Sequence, residues 1–235
     1  MEAILSLNEM AMLILQNTYT GYCGCNICGS YSEHKPFGNR RNRRRYAKCP
    51  DCGSLERHRF LWAKLIQLDL LRGQVLHIEP SKCLHKAMHK HSVGGKYKYA
   101  STTYGIYHHY AELHGIDIQD MSHIGDKAYD LVICSHVLEH VDNHAQALRE
   151  LVRIGKTVVI MVPFFGEKSY QDARAICNKT RLKYHFHKEH MRVYGSADFM
   201  PWLKANMPCD TIILEHKSHN KLDDRLYIIN TGSNA

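Results

Sequence analysis

No apolar run in this sequence approaches the roughly 20 residues that a helix needs to cross a bilayer, which argues against an integral membrane protein. The amino-terminal stretch Met1 to Gln16 has no basic start followed by an apolar core; it carries Glu2, Asn8 and Glu9 instead, so a cytoplasmic protein with reduced thiols is expected. The same stretch contains no Lys or Arg, which disfavours a membrane-surface helix, and Ala3, Leu7, Met10, Met12 and Leu15 read as the packing face of an amphipathic helix. There is no internal repeat and no low-complexity tract. With 44% apolar and 23% charged residues the composition is also far from that of a disordered chain.

At 235 residues the chain can bury one substantial core and carry a small accessory module. Its formal charge of +8 favours an anionic partner without choosing among nucleic acid, a nucleotide sugar and a phosphorylated headgroup. Nine cysteines would fit a disulfide framework in a secreted protein, but four of them fall into two Cys-x-x-Cys pairs. Cys25 with Cys28 and Cys49 with Cys52 can each form a tight turn, and together they complete a tetrahedral zinc shell. Gly29 and Gly53, after the second cysteine of each pair, suit turns that need unusual backbone freedom. Four thiolates leave no open coordination position, so the expected zinc is structural. Cys23 is an alternative ligand one step outside the first pair.

Between the pairs lies GNRRNRRRYAK, with Arg40, Arg41, Arg43, Arg44 and Arg45 beside Tyr46. It reads either as a solvated hairpin arm or as an anion-binding face for RNA or DNA. Ser54 is placed to cap a helix from Leu55 whose apolar positions include Leu61, Leu65 and Leu68.

The clearest segment is Tyr129 to Pro163. Leu131 to Cys134 is a short apolar run whose length and β-branched content suit a buried parallel strand. Asn143 to Val152 carries Ala147, Leu148, Leu151 and Val152 at helical spacing, Gly155 ends that helix, and Val158 to Val162 supplies the next strand. Further strands are expected at Gln74 to Ile78, Tyr97 to Ser101, Asp210 to Lys217 and Arg225 to Asn230, with a last short helix at Ala197 to Ala205. These strand, helix, strand units indicate an α/β chain.

DLVICSHVLEHV followed by LRELVRIGKTVVIMVP resembles the second half of class I S-adenosylmethionine-dependent methyltransferases, and HMRVYGSADF at 190–199 resembles a late element of the same group. The CPDCGSLERHR run is similar to the zinc element preceding the catalytic domain in bacterial members that look like glycan or secondary-metabolite enzymes. The resemblance covers roughly Val75 to Asn230 plus the zinc element, and its last two strands resemble the antiparallel pair that ends the family's sheet.

That resemblance implies a Rossmann-like domain over 55–235 with a mixed sheet and helices on both faces, preceded by a zinc ribbon over 19–54 and a helix over 1–18. It implies S-adenosylmethionine as cofactor, with Glu79 at the turn after the first core strand. That turn departs from the family pattern, since Pro80, Ser81 and Lys82 replace the glycines, and it is no dinucleotide fingerprint. At the next strand end, where the family places a ribose-binding acid, stand Ser101, Thr102 and Thr103, with Thr102 taken as the ribose contact. In the short strand and turn Gly115 to Met121, Asp117 matches the adenine position, with Asp120 as its neighbour, and His136 lies at the sheet edge where ligands bind. Glu139 and His140 begin the following turn and can orient one another. His190, then His187, are the expected bases for an acceptor hydroxyl. Arg57, Arg59, Arg192 and Tyr194 are the expected substrate contacts.

The expected function is O-methylation of a polar or anionic small molecule or saccharide. A nucleic-acid methyltransferase and a noncatalytic zinc-dependent binding protein are the alternatives, the first on the arginine cluster and the second on the altered cofactor turn.

Overall fold

The computed structural model describes residues 22–38, 43–105, 110–171, 190–195, 197–207, 210–216 and 222–231. The helix expected over Met1 to Gln16, Cys23 as a ligand and the arginines at 40 and 41 lie outside what is described of structure or side chains. Two compact units divide the chain: the described residues up to Leu71 with Ser81–Gly94, and Arg72–Pro80 with the described residues from Gly95 on. Each is taken by itself.

In the first unit, β1 (Tyr22–Gly24) pairs antiparallel with β2 (Tyr31–Glu33), and β3 (Lys35–Phe37) with β4 (Arg44–Lys48). These are two separate two-stranded sheets, so the described residues form no distinct zinc-ribbon topology. Helix α1 (Glu56–Gln67) buries Phe60, Leu61, Ala63 and Leu65. Leu68, expected on the same stripe, sits at the C-cap and is exposed. Ser54 does not cap this helix: its hydroxyl lies 3.3 Å from Cys25 Sγ and 3.2 Å from Cys52 Sγ, and the N-cap is Leu55, whose N–H donates to His58 Nδ1 at 3.2 Å. Helix α2 (Lys82–Ser92) buries Cys83, Leu84, His85 and Met88.

The second unit is built on a seven-stranded sheet. Its strands are β5 (Gly73–Ile78), β6 (Tyr97–Thr103), β7 (Leu113–His114), β8 (Tyr129–Ser135), β9 (Gly155–Phe165), β12 (Asp210–His216) and β13 (Leu222–Asn230), in the order β12-β13-β9-β8-β5-β6-β7. All pairings are parallel except those of β13, which runs antiparallel to both neighbours. A small antiparallel pair, β10 (Tyr170–Gln171) and β11 (Arg192–Val193), stands apart. The strand expected within 115–121 is β7, just upstream, and Asp117 falls on the turn that follows.

Leu131 to Cys134 and Val158 to Val162 are at most 1% exposed at every position, so both faces of these strands are covered, as the unbroken apolar runs require. Helix α3 (His144–Ile154) starts where Asn143 Oδ1 accepts from Gln146 N–H at 3.0 Å, and it buries Ala147, Leu148, Leu151 and Ile154 in the main core. Leu148, Leu151 and Ile154 each contribute about 1.5–3 kcal/mol on leaving water. Helix α4 (Phe199–Asn206) adds Phe199 and Leu203 to that core.

Candidate active site

The chain moves outward from β5 to β6 to β7, then returns to the other side of β5 with β8, so the sheet reverses direction between β5 and β8. Ligands of open α/β sheets bind beyond the carboxyl ends of strands at such a point. Ile78 and Cys134 are register partners at those ends. The residues just beyond them, Glu79 at φ +48° and His136 at φ +58°, both hold left-handed backbone that costs a non-glycine residue free energy. Hydrogen bonds lock both: Glu79 N–H donates to Thr102 O and His136 N–H to Met161 O, each at 2.8 Å.

Beyond them opens a cleft of about 580 Å³, within the range of small-molecule sites, whose lining includes Glu79, Thr103, Asp117, Gln119, His136 and His140. Both Glu79 carboxylate oxygens accept from Thr103 Oγ1 at 2.9 Å, and one also accepts from Tyr104 N–H. Thr102, expected as the ribose contact, is instead 1% exposed, and its buried hydroxyl has no hydrogen-bond partner among the described residues. Side chains alternate along a strand, so Thr103 reaches the cleft and Thr102 does not. Asp117 accepts from Gln119 N–H at 2.9 Å and from its Nε2 at 3.1 Å, while Gln119 Oε1 accepts from Asn143 N–H at 2.7 Å. With Asp142 also in the wall, three carboxylates face the cleft and favour a cationic ligand.

One end of this cleft is rich in histidine. His136 Nδ1 lies 3.2 Å from Glu139 Oε1 and its Nε2 2.9 Å from Asp224 Oδ1. Glu139 has no exposed surface; burial opposes its charge, yet the close contact and charge of His136, with the charges of His140 and His190, hold its carboxyl down at about 2. The rings of His140 and His190 meet edge to face with centroids 4.7 Å apart. His187 lies outside the described residues.

Arg192 and Tyr194, expected as substrate contacts, are instead buried at 3% exposure each. The Arg192 guanidinium donates to Leu138 O at 2.9 Å, to Asp142 O at 2.7 Å and to Val141 O, so it clamps the turn that carries His140. Tyr194 Oη lies 3.0 Å from His144 Nδ1, and Trp202 stacks on the His144 ring at 4.2 Å. Burial, reinforced by the Arg192 charge, drives His144 down to about 4.

In the first unit, Arg59 is likewise 7% exposed rather than at an entrance, donating to Ser54 O at 2.8 Å and Ala47 O at 3.2 Å; Arg57 is partly exposed. Arg44, from the arginine cluster, pairs with Glu56 at 3.3 Å and lies over the Phe37 ring. The four paired cysteines bring their sulfurs within 4.8 Å of one another, with Cys25 to Cys52 at 3.6 Å and Cys28 to Cys49 at 3.8 Å. A tetrahedral zinc with bonds of about 2.3 Å requires sulfur–sulfur edges of about 3.8 Å, so the set fits that ion.

The two turns repeat one design, Cys-x-x-Cys-Gly-Ser. Cys25 N–H donates to Ser30 O and Gly29 N–H to Cys25 O, as Cys49 N–H does to Ser54 O and Gly53 N–H to Cys49 O. Both glycines have positive φ, +77° and +75°. The Cys52 thiol holds the Cys25 thiol well below its usual range, while Cys52 itself is pushed up, as expected when crowded thiols must share one ionisation.

Thr103, Gln119 and Asp224 were not among the sequence-based site residues. Thr103 was present in the Ser101 to Thr103 group, but only strand register singles it out; Asp224 carries no local motif at all.

Residues 61–161 match the family model described as a methyltransferase domain. No curated protein matches the sequence. Among solved structures, the N-terminal domain of EvdMO1 with SAH bound aligns with a TM-score of 0.52 at 13% identity, over 84% of this chain and 90% of that one. The same domain in the presence of SAH and D-fucose aligns at 0.51, again at 13% identity and with the same coverage. The citrinin polyketide synthase CMeT domain aligns at 0.50 and 9% identity, over 76% of this chain and 52% of that one. No helix among the described residues is long and apolar enough to cross a membrane. The chain thus has the class I S-adenosylmethionine-dependent methyltransferase fold, with the cleft at the reversal point of its sheet and a four-cysteine cluster near its amino terminus.

Proposed function

We propose that this protein transfers a methyl group from S-adenosylmethionine to a hydroxyl of a small, polar, saccharide-like acceptor. The observation that carries this reading is the acidic cleft beyond Glu79 and His136, at the sheet's reversal point, on a methyltransferase fold. S-adenosylmethionine brings a sulfonium and an ammonium group, which Glu79, Asp117 and Asp142 complement in charge. The sulfonium is already an activated leaving group, so alignment and removal of the acceptor proton are the tasks left to the protein.

Glu79 and Thr103 bind the amino acid and ribose end, and Asp117 with Gln119 binds adenine. The acceptor enters at the His136 to His140 end, beside Glu139, His140 and His190; of the two bases expected from the sequence, His190 first and His187 second, His190 belongs to this cluster. Arg192 and Arg59 position loops and do not touch substrate. The related EvdMO1 domain, determined in the presence of SAH and D-fucose, supports a sugar-like acceptor. In the amino-terminal module Cys25, Cys28, Cys49 and Cys52 hold one structural zinc, and the partition 1–18, 19–54 and 55–235 remains our division of the chain.

Calorimetry with S-adenosylmethionine on the wild type and on Glu79→Gln and Asp117→Ala tests the cofactor site. Binding by the wild type, weakened about tenfold or more in each variant, is expected. No binding by folded, zinc-loaded wild type would return the noncatalytic alternative. A mass-spectrometric screen of hydroxylated monosaccharides and of RNA then identifies the acceptor, and methylated RNA without methylated sugar overturns the acceptor class.

A further inference from the structure

Glu139 stands on the turn after β8 with no exposed surface, and neither of its oxygens accepts a well-formed hydrogen bond among the described residues. Its nearest ion-pair partner, His136 Nδ1, is 3.2 Å from Oε1. A buried ionised carboxylate in this position requires compensating positive charge. His136 supplies only part of it, because its other nitrogen faces Asp224 at 2.9 Å and one imidazole is therefore shared by two carboxylates.

His140 and His190 complete the surroundings. One ligand-capable atom from each, with a Glu139 oxygen, all lie within 4.8 Å of one another. We propose that Glu139, His140 and His190 form a divalent transition-metal site at the acceptor end of the cleft. Two imidazoles and one carboxylate make a donor set suited to zinc or a similar ion, and three protein ligands leave a coordination position open, unlike the four thiolates of the amino-terminal module. His140 is part of the cleft wall, so an ion held by these residues would stand beside the acceptor.

The inference rests on the methyltransferase reading of that cleft and sharpens it. A hydroxyl bound to the ion has a lowered pKa and releases its proton to water. The oxygen lone pair then forms the O–CH3 bond while the S–CH3 bond breaks with its electron pair moving to sulfur. The products are the methyl ether, S-adenosylhomocysteine and one proton. In this arrangement His190 holds the ion and is not the base.

The test is a zinc chloride titration of the intact protein, with bound metal measured after gel filtration. The wild type is expected to retain one equivalent more than His140→Ala and His190→Ala, with the thiolate-bound equivalent kept in all three. Equal zinc in the wild type and both variants overturns the proposal. Should an alanine variant lose its fold by circular dichroism, His140→Gln and His190→Gln give the same comparison. A readout that needs no variant is the ring nitrogen resonances of 15N-histidine-labelled wild type, in which two imidazoles are expected to shift with the last equivalent of zinc. Ring resonances that stay fixed at saturating zinc count against the site equally. Calorimetry with S-adenosylmethionine on the same samples separates the two claims: a retained extra equivalent with no cofactor binding keeps the metal site and removes the methyltransferase reading.

Discussion

His136 Nε2 lies 2.9 Å from Asp224 Oδ1, tying the residue just past β8 to the antiparallel strand β13. Because the opposite ring nitrogen faces Glu139 at 3.2 Å, the one imidazole stands between two carboxylates. Asp224 is 4% exposed, so its loss opens a gap at the buried His136 Nε2 and removes the link between that residue and β13. Asp224→Ala is expected to destabilise the protein by about 3 kcal/mol, near the cost of breaking a buried pair. Urea unfolding of the two proteins measures this, and a change below about 0.5 kcal/mol would falsify the bridging role.

Arg192 acts on the same region from the other side. Its three donated hydrogen bonds hold the carbonyls of Leu138, Val141 and Asp142, which lie in the turn bearing His140. Arg192→Ala should cost about 2–4 kcal/mol and weaken S-adenosylmethionine binding although Arg192 makes no direct contact in our assignment. Arg192→Lys, with a single ammonium that cannot span three carbonyls, should recover only part of both. Full recovery by lysine would mean that charge, and not the forked geometry, is what matters there.

Removal of zinc should be felt first in the amino-terminal module. Cys28→Ala and Cys52→Ala are each expected to lose the structural metal and the protease resistance of that module, because ligand binding there contributes directly to folding. Metal analysis and limited proteolysis are the measurements. Undiminished zinc in both variants would remove the four-thiolate assignment.

His144 gives the protein a pH dependence of definite sign. Burial, then the Arg192 charge, lowers it from 6.5 to about 4, so the folded protein holds it neutral while the unfolded chain protonates it near 6.5. Its contribution to stability is present in full above pH 6.5 and is lost as pH falls toward 4. The melting temperature of wild type should therefore drop more between pH 7 and pH 5 than that of His144→Phe, which keeps an aromatic ring against Trp202. Parallel drops in the two proteins would show that His144 is not the titrating group.

The strands and helices were readable because their signals are local. Leu131 to Cys134 and Val158 to Val162 are uninterrupted apolar runs containing β-branched residues, and the apolar spacing from Ala147 to Leu151 fits a helix with one buried face. The cysteine pairs were equally readable, since two tight turns of identical spacing can converge on one ion wherever the chain takes them. Arginine read differently. Arg59 and Arg192 were assigned to substrate through the resemblance of the segments that carry them, yet both are buried with their guanidinium groups on backbone carbonyls.

The sequence by itself thus determined the core strands, the helix between them and the paired spacing of Cys25, Cys28, Cys49 and Cys52, all of which follow from short-range pattern, while the antiparallel end of the sheet was legible only through the family resemblance. Tertiary structure alone decided that Thr103 and not Thr102 meets Glu79, because alternate residues of a strand face opposite ways and register selects between them. It alone joined His136 to Asp224, which no local pattern links, because β13 must run back beside β9 before that carboxylate can reach the end of β8.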